Sequence, residues 1–315
     1  GLDQPVAEVL PEFREQRVLV NAQTMETRPA ARPMTIRHLL THSAGLSYSI
    51  SSNALAKLYV RNGIVPGGRV RDKEPGADLP PVRTLDELAE RLARLPLDFD
   101  PGTKWQYSVS FDLLGLVIER AARRPLHAHL QRAIFDPLRM SDTDFMVPAA
   151  KAERFVSVVG PVKDGTAAIV EDRRTSPYLR DRDLPSGGGG LASSARDYAR
   201  FTAMLLNEGA LDGRRIVRPA TVATYRSNLL EPGVFFGGRN GYGAGVSVVL
   251  PGGERPGGEP PGSYGWWGIA GSQMWVDPAN GMSTVLMVNY MPFQTYPIAQ
   301  EVRAAAYKDL AALKA

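Results

Sequence analysis

The chain has 315 residues, 43% of them hydrophobic and 22% charged, a composition that suits a folded protein and not a disordered segment. It has no cysteine, which excludes disulfides and thiolate metal sites. The net charge of +4 comes from arginines interleaved with acids ("RDYARF", "EDRRTSPYLRDRD"), not from a basic stripe set with aromatics, so no nucleic-acid partner is expected. No apolar run approaches the ~20 residues that span a bilayer. The opening "GLDQPVAEVLPEF" is neither basic nor continuously apolar, as a signal peptide would be. No membrane partner is expected either, and compartment and oligomeric state stay open.

In "RPMTIRHLLTHSAGL", Thr35 is a candidate N-cap before a short apolar-faced helix, and Gly45 is its predicted stop. Residues 65–81, rich in Gly, Pro and charge, predict a surface loop. "TLDELAERLARL" has a capping-box pattern, Thr84 with Glu87 three residues on, and sets Leu85, Leu88, Leu92 and Leu95 on one helical face. "DFDPGTKW" predicts a turn into "KWQYSVSFDLLGLVIE". There Tyr107 stands at the mouth of a helix whose Asp112, Leu113, Leu114, Leu116, Val117 and Ile118 read as buried. After the glycines at 187–190, "SSARDYARFTAMLLNEGALDG" predicts a helix and a turn.

The last third changes character. "YGAGVSVVL", "GWWGIAGSQMWVDP" and "MSTVLMVNYM" are β-rich runs separated by Gly, Pro and Asn turns, as in an antiparallel meander. The Gly/Pro-rich segment 251–265 is a loop beside the "WWG" strand. A helix from about Ile298 to Leu313 closes the chain, with Val302, Ala306 and Leu310 on one side. A mostly helical region (about 30–225) followed by strands and a terminal helix (about 235–315) predicts an α+β fold, helices packed on an antiparallel sheet.

Several chemistries can be weighed on residues alone. His38 and His42, four apart on a helix, have a metal-ligand spacing, but no HExxH pattern and no evident third ligand accompany them, so a structural role is expected and no metal. The other two histidines are His127 and His129. A Ser-His-Asp hydrolase would need a G-x-S-x-G elbow and a later histidine, and neither occurs. "SGGGGLASSARDY" lacks the Gly-Lys-Ser/Thr of a phosphate cradle, so a tight backbone turn is expected there and no nucleotide. Tyr107 alone would read as a half-buried tyrosine with one hydrogen-bond partner.

Taken together and in order, "VLPEF", "ARPMTIRHLLTHSAGLSY", "PGTKWQYSVSFDLLGLVIE", "PSGGGGLASSARDYARF" and "WWGIAGSQMWVDP" resemble the serine β-lactamase-like superfamily: class C β-lactamases, penicillin-binding proteins and family VIII carboxylesterases. The resemblance runs from about Leu2 to Tyr290. It leans to the carboxylesterases, because Val109 stands where lactamases have Asn, and Trp266-Trp267-Gly268 stands where they have Lys-Thr-Gly. It implies a single β-lactamase-like domain over 1–315, an antiparallel sheet flanked by helices with a mostly helical subdomain. It further implies a hydrolase of small esters or amides, working through an acyl-serine without a cofactor. By match, Tyr107 is the catalytic base, Trp266 and Gly268 line the site, and the Ile269 backbone N–H is an oxyanion donor. Trp267 replaces the family's Gly; facing inward it narrows the acyl pocket, facing outward it only packs.

The family's nucleophile is a serine with a lysine three residues later. None of the lysines at 57, 73, 104, 151, 163, 308 and 314 has a serine three residues before it. The resemblance therefore implies that the N-terminal strands and nucleophile helix are missing, and that the chain alone is inactive. The alternatives are a non-catalytic binding or scaffold member of the fold, or a β-lactamase or D-aminopeptidase.

Overall fold

Two hydrophobic clusters, one built by helices and one by a sheet with the helix packed on it, organise the chain. The computed structural model describes residues 1–65, 75–161, 166–180, 184–238, 240–253 and 258–314. In chain order, a hairpin of β1 (Arg17–Asn21) and β2 (Glu26–Pro29) precedes α1 (Ile36–Leu40), α2 (Ala54–Arg61), α3 (Leu85–Ala93), α4 (Ser110–Ala122) and α5 (Leu126–Leu130). A second hairpin, β3 (Val158–Pro161) with β4 (Ala167–Glu171), leads to α6 (Ala195–Leu206). A third, β5 (Ala210–Leu211) with β6 (Arg214–Arg215), leads to α7 (Pro219–Tyr225). The main sheet follows as β7 (Gly241–Tyr242), β8 (Ser247–Val248), β9 (Tyr264–Trp267), β10 (Gln273–Asp277) and β11 (Met282–Leu286), and α8 (Ile298–Lys314) ends the chain.

The helical cluster forms as the apolar spacing predicts. Leu85, Leu88 and Leu92 of α3 meet Leu113, Leu116 and Val117 of α4, with Val6, Leu10 and Phe13 beneath them. Both predicted N-caps are made: Thr35 accepts from the His38 N–H and Thr84 from the Glu87 N–H. Two details differ from the expectation. The Glu87 carboxylate accepts from the Arg83 N–H, one residue before the cap. And α1 stops at Leu40, not at Gly45, because the chain turns at His42 (φ 52°) to run beside the segment entering α4. Of the loop expected at 65–81, residues 66–74 lie outside the described residues, as do 254–257 of the loop expected at 251–265.

The main sheet has the order β11-β10-β9-β8-β7, every neighbouring pair antiparallel, as the meander reading predicts. Period-2 alternation gives it two unlike faces. Tyr264, Met274 and Val276 are buried with Met204 and Leu205 of α6. Trp267, Gln273 and Trp275 on the other face are only half-buried. The terminal helix lies beside β10 through polar contacts: Arg303 donates to Gln273 Oε1 (3.2 Å) and Tyr307 to Asp277 Oδ2 (2.8 Å). The three small hairpins were not anticipated from the sequence.

Candidate active site

Tyr107 is positioned by the stretch 42–47, which runs beside the approach to α4. The N–H groups of Gly102, Gln106 and Val109 donate to the carbonyls of Ser43, His42 and Ser47 at 2.7, 2.9 and 3.1 Å. Gly45 lets the two segments come this close: its φ is +81°, and a Cβ there would stand 2.3 Å from the Phe99 carbonyl oxygen. A hydroxyl chain backs the turn, with His42 Nδ1 at 3.1 Å from Ser108 Oγ and Ser108 Oγ at 2.7 Å from Ser110 Oγ. His42 is fully enclosed, and burial pushes its pKa down to about 3, so the ring is neutral. Its centroid lies 4.7 Å from that of Tyr107, and Tyr48 stacks on the phenol's ring at 5.3 Å and 7°.

A buried acid holds the next layer. Asp112, in the first turn of α4, accepts from the Ser186 hydroxyl and, at 3.5 Å, from the Gly188 N–H. The glycine run is thus a tight backbone contact, as expected: a Cβ at Gly187 would stand 2.2 Å from the Phe111 carbonyl oxygen. Burial raises the Asp112 pKa, against the pull of those two donors, and Asp112 Oδ2 has no hydrogen-bond partner among the described residues.

The β9 strand supplies the opposite wall. Trp266 lies 6.0 Å from Tyr107, ring to ring, with the two planes 30° apart. Burial raises the Tyr107 pKa above its ordinary value of 10; the nearby Trp266 indole lowers it, the Asp112 carboxylate raises it, and no cation of the described residues pulls it down. Tyr107 and Trp266 are therefore brought together from widely separated parts of the chain. Gly268 donates its N–H to the Ser272 carbonyl (2.7 Å) and shapes the β9–β10 turn. Ile269 is 52% exposed; its carbonyl accepts from the Phe293 N–H, while its own N–H has no backbone acceptor among the described residues. Trp267 stacks on Trp266 at 4.2 Å and, by the alternation of β9, lies on the face of Gln273 and Trp275.

The two histidines of α1 and its exit serve separate partners. His38 Nδ1 accepts from the Thr35 N–H (3.1 Å), and burial, with Arg32 nearby, lowers its pKa to about 4. Among the described residues no three His, Asp or Glu side chains gather as metal ligands, and no helix is long and apolar enough to cross a membrane. Sequence reasoning passed over Tyr48 and Phe236, read Asp112 only as a buried residue of the helix, and gave His42 the structural role that its contact with Ser108 shows. For Asp112 a signal existed: it is the one acid inside the apolar run 110–118.

A family model described as Beta-lactamase matches residues 1–308, and the chain belongs to that family. Esterase EstB of Burkholderia gladioli is 33% identical over 308 residues, covering 92% of this chain and 71% of that protein. Among solved structures, EstCE1, described as a hydrolase with promiscuous acyltransferase activity, superposes with a TM-score of 0.74 at 26% identity, covering 98% of this chain and 78% of that one. A simvastatin synthase of Aspergillus terreus, the LovD6 mutant, matches the fold with a TM-score of 0.76 at 24% identity, covering 98% and 76%. The chain thus has the β-lactamase-like fold, and its homologues are esterases and acyltransferases.

Proposed function

We propose that the protein is a serine carboxylesterase working through an acyl-serine, and that residues 1–315 carry its base and its oxyanion wall. The observation that carries this reading is the stacking of the Tyr107 ring on Trp266 at 6.0 Å and 30°, with Ile269 three residues further along the same stretch. In the reaction, the serine Oγ attacks the ester carbonyl while the phenolate takes its proton. The Ile269 N–H and the nucleophile's own N–H hold the oxyanion. The alcohol leaves with that proton, and water then releases the acid. A phenol raised by burial stays protonated at neutral pH, so the reading requires a cation beside it. The family's Ser-x-x-Lys helix brings nucleophile and cation together, and neither partner of that motif lies within residues 1–315.

Residues 1–315 alone are expected to turn over no p-nitrophenyl ester, and to do so when joined to a Ser-x-x-Lys segment from their own gene. In that active form Tyr107→Phe removes one hydroxyl. It is expected to cut kcat and kcat/KM together by roughly 10²–10⁴, the usual worth of a positioned base, with little change in Tm. Ester turnover by residues 1–315 that no serine-directed inhibitor blocks would overturn the reading. A chromogenic cephalosporin assayed beside the ester separates an esterase from a β-lactamase.

A further inference from the structure

Position 267 carries Trp where the resemblance leads one to expect Gly, and the ring it adds is not left to solvent. It stacks on Trp266 at 4.2 Å and 22°, and lies 6.2 Å from Phe236 and 6.0 Å from Phe293. Trp266 in turn stacks on the Tyr107 ring at 6.0 Å and 30°. Tyr107, Trp266, Trp267 and Phe293 form one continuous aromatic line running from the phenol into a cavity of about 330 Å³, which Phe236, Val288, Tyr290 and Pro292 help to line. A dry apolar cavity of roughly 150 Å³ holds a benzene, so this space has room for a fused bicyclic group. The charges at its margin satisfy each other, since Arg303 pairs with Glu259 and donates to Gln273. Nothing in that arrangement calls for a charged guest, and the flat rings offer stacking surface.

We infer that this cavity receives an uncharged, planar aromatic group of the substrate ester, and that Trp267 is the residue that selects it. The inference rests on the esterase reading, because the line of rings matters to substrate choice only if Tyr107 sits at the reacting carbonyl. Removing Trp267 opens the wall and exposes the Trp266 face; a leucine there keeps apolar bulk and loses the flat surface.

The test is calorimetric titration of residues 1–315 with 2-naphthol and with decahydro-2-naphthol, which has the same carbon skeleton without planarity. The expected result is that 2-naphthol binds at least tenfold more tightly. Trp267→Gly and Trp267→Leu should each erase that preference and Trp267→Phe should keep most of it, with unchanged circular dichroism melts certifying each fold. Equal binding of the two alcohols, no binding of 2-naphthol, or a preference that survives Trp267→Leu would overturn the inference. Naphthol selectivity in a completed protein that hydrolyses no ester removes the esterase and leaves the cavity standing. Hydrolysis indifferent to planarity removes only the role of Trp267.

Discussion

Helices α4 and α8 are both long enough to stand as rods, but they are held in opposite ways. Seven of the thirteen residues of α4 are buried, and Tyr107 stands just before its first turn. No described residue of α8 is buried; Val302 is 44% exposed, and the helix is clipped to the sheet by Arg303 and Tyr307. The same contrast divides the main sheet. One face is closed by α6 over Tyr264, Met274 and Val276, while the other holds half-buried tryptophans around a cavity. Rigidity is therefore concentrated on the side of the phenol, and the side where the substrate's bulk would go is held loosely. A site that must fix one hydroxyl and accept a variable group is served by that division.

The sharpest way to break this comparison is to cut into α4. Leu113→Ala, at a fully buried position, is expected to cost about 2–5 kcal/mol, read as a large fall in Tm. A loss under about 1 kcal/mol would mean that α4 is not the rigid element. Acid probes the same region. His38 and His42 have pKa values lowered to about 4 and about 3 by burial, against 6.5 unfolded, so the folded state binds fewer protons than the unfolded state below pH 6.5. Stability is then unaffected by these groups above pH 6.5 and falls as the pH drops toward 4. Each imidazole removes about 2 kcal/mol between pH 6.5 and 5 by linkage. His42→Asn should make the acid limb of Tm against pH shallower; an unchanged slope would show that His42 is already reached by solvent. A smaller effect is expected from Asp112→Ala, which leaves the Ser186 hydroxyl and Gly188 N–H without their acceptor at a cost of about 1–3 kcal/mol. Amide exchange at 186–190 should rise with it, and exchange in β9 should not.

How far the sequence made this legible follows from the range of the forces involved. The faces of α3 and α4 were readable because each buries a regular apolar stripe, and the antiparallel run β7–β11 because short β-rich runs alternate with turns. The β1–β2 hairpin was not, since Val18 is the one buried residue in its two strands and no alternation marks it. In the site, the stretches carrying Tyr107, Trp266, Gly268 and Ile269 stood out by resemblance. Asp112 and His42 lie in such stretches too, but their roles there were not readable, because they come from partners 74 and 66 residues away, Ser186 and Ser108. Phe236, in "GVFFGGRN", carries no local pattern, and only the fold sets it against Trp105 and Trp266.

The mildest change belongs to α8 and tests the other half of the comparison. The Tyr307 hydroxyl donates to Asp277 Oδ2 at 2.8 Å, and the same carboxylate also accepts from the Asn280 N–H and side-chain amide at 3.1 and 2.7 Å. Tyr307→Phe therefore removes one clip without stranding the buried acid. The expected cost is about 1 kcal/mol, that of one net hydrogen bond, and the damage should be local. Limited proteolysis should cut within 298–312 sooner, while Tm moves by only a few degrees and the exchange protection of α4 stays as it was. If Tyr307→Phe lowered Tm as far as Leu113→Ala, α8 would be part of the cooperative core, and the division between a rigid phenol side and a loosely held cavity side would fall.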